Sequence, residues 1–160
     1  VYAVKKGFDQ SQAALALTAF VIGNTVLQFP IGWCADHFPK RIVMTACGIA
    51  TAISAALVPF TFGTVALWPV LTVMGAASAG IYTVSLGELG ERFSGHELVT
   101  GKAAFSTMWG AGALTGSLLA GWSIAGFGPD GLPVTMSVIF MVFVVASAIS
   151  ARAVVRAGSS

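Results

Sequence analysis

In the run GWCADHFPKR, residues 32 to 41, Asp36, His37, Lys40 and Arg41 crowd together in a chain that holds only 8 Lys+Arg and 6 Asp+Glu among 160 residues. Carboxylate and cations at this spacing suit ion pairing, and a carboxylate at a membrane rim can also accept hydrogen bonds from the positive N-terminus of a neighbouring helix. The plainer reading is a turn with an Asp cap and two cations that set topology. A second, uncharged group is Asn24 and Gln28, four apart and so on one face of a helix. Two amides on one face can hydrogen-bond a polar solute, or equally a neighbouring helix. Ser78, Tyr82 and Ser85 form another such face, with Tyr82 the aromatic candidate for solute contact.

Several chemistries are missing. Serine is plentiful, but no Asp, Glu, Lys, Arg or His lies inside the apolar runs, so a nucleophile has no base and a proton relay has no carrier. There is no CxxC, and both histidines are expected in loops, so no metal site and no cofactor are predicted. An enzyme is therefore not expected. Cys34 and Cys47 are expected to stay reduced.

The elements that position these groups follow from composition. Hydrophobic residues make up 56%, charged residues 9%, and the 19 glycines run through the apolar parts, which no soluble domain matches. Charge-free windows cover residues 10 to 35, 42 to 87, 103 to 129 and 131 to 151. Each can cross a bilayer, which takes about 20 apolar residues, and the second can cross twice. Pro59 and Gly63 in VPFTFGT supply the reversal. The expectation is an all-α integral membrane bundle of five helices, approximately 11–33, 42–60, 64–87, 103–127 and 132–151. Asp9 with Gln12 and Ser94 with Glu97 read as capping boxes. Trp33, Trp68 and Trp122 fall near helix ends, as interfacial indoles do.

Charge sorts the two sides. One face receives Lys40, Arg41, Arg92, Lys102, Arg152 and Arg156, and the other Lys5 and Lys6. The positive-inside rule then puts the N-terminus outside and the C-terminus in the cytoplasm. The net charge of +2 reflects this bias and points to the lipid bilayer, with no nucleic-acid partner. Glycines suggest close helix packing: Gly112 and Gly116 form a GxxxG, extended by Gly110 and Gly121.

The 32–41 stretch resembles the signature loop of the major facilitator superfamily, with Gly32, Asp36, Lys40 and Arg41 in register. His37 stands where a basic residue is usual and Pro39 where a glycine is usual, as in the weaker second copy of that signature. VYAVKKGFDQSQAALALTAFVIGNTVLQFPIGW resembles the end of a seventh helix and an eighth, and GIYTVSLGELGERFSGHEL the end of a tenth. WGAGALTGSLLAG is similar to the eleventh helix of the bacterial YcaD-like subgroup, except that Ser117 replaces a proline. The resemblance implies helices 8 to 12 of a secondary transporter in the cytoplasmic (inner) membrane. Residues 1–160 would then be a truncated C-terminal six-helix domain that rocks against a missing N-terminal half around a small-molecule solute. Asp36, Lys40 and Arg41 would latch the cytoplasmic side, while Asn24, Gln28, Ser78 and Tyr82 would face the solute. The competing expectation is a self-contained five-helix protein with a structural or assembly role.

Overall fold

The computed structural model describes residues 2–157, with side chains described for residues 3–150 other than Lys5. Lys5, Arg152 and Arg156 of the charge assignment, and residues 1 and 158–160 of the expected domain, lie outside that description. Among the described residues every regular element is helical. These are α1 (Tyr2–Lys5), α2 (Gln10–Val26), α3 (Gln28–His37), α4 (Lys40–Thr61), α5 (Leu67–Arg92), α6 (Gly95–Phe127) and α7 (Gly131–Ala157). A continuously apolar chain in lipid must satisfy its backbone within each segment, and helices do so.

Among the described residues four segments are long and apolar enough to cross a membrane: Gln10–His37, Lys40–Thr61, Leu67–Arg92 and Gly131–Ser150. Five were expected. The fifth is present as the 33-residue α6, whose apolarity is diluted by glycine at seven positions and by interspersed Ser and Thr. The helices also extend beyond their expected ends. The first span continues to His37 and the next starts at Lys40, so only Phe38 and Pro39 separate them, and α6 begins at Gly95 instead of 103. Both histidines expected in loops are thus helical, His37 ending α3 and His96 opening α6. Pro59 lies inside α4, and the reversal is made past its end, where Gly63 takes φ +81.

The first span is two helices. Pro30 has no N–H to give the Val26 carbonyl, one turn earlier, and the ladder is interrupted at Leu27, where φ is −82 and ψ −1. Its start is well defined. Asp9 Oδ1 accepts the Gln12 amide at 2.7 Å, and Gln12 Oε1 accepts the Asp9 amide at 3.3 Å, which completes the expected capping box. Ser94 does N-cap α6, but its side chain makes no capping bond, so the second expected box is not formed.

Packing centres on α5. Its Gly75 and Gly23 of α2 meet the opposite backbone directly: a methyl at Gly75 would overlap the Phe20 carbonyl, and one at Gly23 the Thr72 carbonyl. On the other side α5 packs against α4, whose Ala52, Ala55, Thr51 and Val58 are buried and which in turn packs on α7. A core of Ala35, Val43, Cys47, Ala77 and Val84 joins α3, α4 and α5. In contrast α6 buries only Ser123.

Candidate functional site

Alternation of the helices brings two sets of polar residues to opposite ends. At one end α1 and the loop after it meet the turns of the other helices: Lys6 pairs with Asp130 at 2.6 Å, and Phe8 packs on Phe62 with ring centroids 4.4 Å apart. At the other end stand the short α3–α4 connection and the C-terminus of α5. There Asp36, Lys40, Arg41, Glu88, Glu91 and Arg92 line one open cleft of ≈ 480 Å³.

Within that cleft the expected latch residues differ in their surroundings. Lys40, the first residue of α4, forms a salt bridge to Glu91. Arg92 donates to Glu88 at 2.6 Å along its own helix. Each pair is open to solvent on one partner and contributes about 1 kcal/mol or less. Asp36 is exposed in the last turn of α3 and has no hydrogen bond or ion pair among the described residues, and neither does the Arg41 guanidinium. Gly32, one turn before Asp36, faces open space, since a methyl there would meet nothing within 4 Å. His37 is engaged locally: its Nδ1 lies 2.8 Å from the Trp33 carbonyl and its ring stacks on Trp33. The sequence pattern singled out Asp36, Lys40 and Arg41, but Glu91 as the partner of Lys40 was not foreseen. Its proximity depends on how α4 crosses α5.

The amide pair lies at the α2–α3 break. Gln28 Nε2 donates to Asn24 Oδ1 at 3.4 Å, and Gln28 Oε1 accepts from the Thr83 hydroxyl of α5 at 2.6 Å. Thr83 was passed over in favour of Ser78, Tyr82 and Ser85. Successive helical residues diverge by about 100°, so Thr83 and Tyr82 look out on different faces. The signal was present in the spacing, yet only the crossing of α3 on α5 decides which hydroxyl meets Gln28. Ser78 and Ser85 give their protons back to α5, to the carbonyls of Gly75 at 3.1 Å and Ile81 at 2.7 Å. Tyr82 faces α6, where its ring meets Trp109 edge-on at 4.6 Å and Phe105 at 5.4 Å. The structure therefore joins Asn24 and Gln28, and it sets Tyr82 against another helix.

The four α6 glycines stand open. A methyl at Gly110, Gly112, Gly116 or Gly121 would meet nothing within 4 Å. Gly112 and Gly116 share a face with Trp109 and Ser123, whereas Gly110 and Gly121 lie on roughly the opposite one. Close packing inside the described bundle is instead carried by Gly23, Gly75 and Gly131. Among the described residues no group of three or more His, Cys, Asp and Glu is placed to hold a metal ion.

Comparison with known proteins agrees with this architecture. The profile of the Major Facilitator Superfamily matches residues 1–157. The chain is 25% identical over 122 residues to the benzoate transport protein of Acinetobacter baylyi, covering 76% of this chain and 26% of that protein. It is 23% identical over 127 residues to the uncharacterized MFS-type transporter YfkF of Bacillus subtilis, covering 79% and 32%. It is 25% identical over 116 residues to the uncharacterized MFS-type transporter Ent638_1421 of an Enterobacter species, covering 72% and 30%. The matched part thus spans about a quarter to a third of these relatives. No solved structure matches the chain significantly.

Proposed function

This chain belongs to the major facilitator superfamily, and we propose that it is the C-terminal part, helices 8 to 12, of a secondary active transporter of the YcaD-like kind. The transporter moves a small solute across the cytoplasmic membrane by alternating access. Its N-terminal half supplies the other wall of the cavity, and the end bearing Asp36 faces the cytoplasm, with the start of the chain outside.

The observation that carries this reading is Asp36, which stands exposed and, among the described residues, unpartnered, in register with the superfamily signature at the charged end of the bundle. A carboxylate presented in this way suits the N-terminus of a helix in the other half. Such a contact exists only while the cytoplasmic side is closed, so it biases the outward-open state. Arg41 is likewise unpaired and suits an acidic group or a lipid phosphate, whereas Lys40 is already held by Glu91 and braces α4 on α5. Solute contact is assigned to Asn24, Gln28, Ser78 and Tyr82. Of these the amide pair is the stronger, because Ser78 bonds back to its own helix and the Tyr82 ring is covered by α6.

The test is uptake by cells expressing the complete transporter, measured with a panel of radiolabelled small organic solutes that includes benzoate as a first probe. Asp36→Asn should lower the rate about tenfold with membrane insertion unchanged. An unchanged rate at equal protein level removes the latch from the account. Asn24→Ala should raise the KM of whichever solute is taken up and leave the latch intact, which separates the two roles.

A further inference from the structure

We infer that α3 is a hinged segment that swings about Leu27, where Pro30 weakens the helix, and is held in the observed position at its first residue by the Gln28–Thr83 hydrogen bond. Three independent features place the moving part. First, the backbone is already interrupted at the pivot. Pro30 leaves the Val26 carbonyl without its donor one turn later, while Leu27 still donates to Gly23 at 3.1 Å and its carbonyl accepts from Ile31 at 3.2 Å. A helix with one missing rung bends there at lower cost than elsewhere.

Second, the two sides of the pivot differ in how they are held. On the α2 side, Gly23 and Gly75 bring the α2 and α5 backbones into direct contact, and the Thr72 hydroxyl reaches the Ala19 carbonyl at 3.3 Å. No side chain fits between the two backbones there. On the α3 side no backbone meets α5 this closely: Ala35 is buried with the flexible side chains of Ile31 and Cys34 packed beside it, and Gly32 meets nothing within 4 Å. Among the described residues, the 2.6 Å bond from the Thr83 hydroxyl to Gln28 Oε1 is the one side-chain hydrogen bond that ties α3 to α5.

Third, there is room for the movement. An apolar groove of ≈ 350 Å³ begins at Leu27 and Pro30, follows Ile31 and Cys34, and is closed on the far side by Cys47 of α4 and Ala77 of α5. Tilting α3 changes the width of this groove and displaces Asp36, which ends the lever. The hinge stands whether or not the amides touch solute. If they do, a further consequence rests on that reading: a solute that takes the Gln28 amide from Thr83 releases α3, which couples occupancy of the cavity to the position of Asp36.

Cys34 reports the motion, since it lines the groove and is half-buried. The complete transporter in nanodiscs, without solute, is treated with N-ethylmaleimide, and alkylation of the Cys34 peptide is followed by mass spectrometry. Thr83→Val and, from the other end of the bond, Gln28→Leu are each expected to speed alkylation at least threefold. Thr83→Ser, which keeps the hydroxyl, is expected to match wild type. Pro30→Ala, which restores the missing N–H, is expected to suppress the acceleration when added to Thr83→Val. Equal rates in wild type and both tie variants overturn the inference, and so does an acceleration that survives Pro30→Ala. A hinge that passes while Asn24→Ala leaves solute KM unchanged disposes of the coupling alone.

Discussion

The glycines of α2 and α5 and those of α6 are the same residue in opposite surroundings. Gly23 and Gly75 are wedged against the backbone of the facing helix, so that no side chain fits. Gly110, Gly112, Gly116 and Gly121 face space that a side chain would enter freely. In lipid, where helices gain nothing by hiding apolar surface from each other, small residues are the means of close approach. The first pair has found its partner within the chain. The second set has not among the described residues, and α6 meets the bundle through Phe105 and Trp109 against Tyr82 and at the turn around Gly131. Small residues spread along a helix that buries one side chain are what a surface awaiting another helix looks like.

The contrast can be broken by substitution, and the largest effect is expected at the crossing. Gly75→Val places two methyls where the Phe20 carbonyl already sits and should cost about 3 kcal/mol or more, a large part of the stability of a typical domain. Loss of the monodisperse peak in fluorescence-detected size exclusion would show it, and a wild-type peak would mean that the α2–α5 crossing is looser than described. The matching change in α6, Gly110→Ala, should leave the chain's own thermal stability within about 1 kcal/mol of wild type, with any shift toward greater stability, because alanine is the better helix former. If the proposed N-terminal half packs against this face, the same change should lower uptake by the complete transporter. The smallest effect belongs to the outer end. Lys6→Ala removes a pair that is partly exposed on both sides and should change stability by about 0.5 kcal/mol or less, read as a shift in melting temperature that vanishes at high salt.

Much of the architecture was legible because the bilayer dictates it. Long charge-free windows specify helices, and the Asp9–Gln12 box marks the first start to the residue. The helices run past their expected ends, because charged residues such as Asp36, His37, Glu88 and Arg92 mark the limit of the apolar span and not of the helix. At a membrane rim a helix continues past its last lipid-facing turn, with those side chains in water. The interruption at Leu27 does not follow from Pro30 alone, since proline in a membrane helix is often accommodated and only the neighbouring packing decides the outcome. For the site, spacing alone paired Asn24 with Gln28. It had no means of selecting Thr83, Glu91 or the Gly23–Gly75 crossing, each of which depends on the angle and register between helices far apart in sequence.

On the proposed reading, the N-terminal half of the same transporter covers the open face of α6. Leu114 lies on the Gly110 and Gly121 side of α6 and is 72% exposed, so it can carry a photoreactive p-benzoylphenylalanine without disturbing the bundle. After irradiation of the complete transporter in membranes, mass spectrometry should find that residue joined to a peptide of the same polypeptide from outside residues 1–160. Cross-links to lipid alone would contradict the claim and leave α6 as a lipid-facing helix with no second half against it.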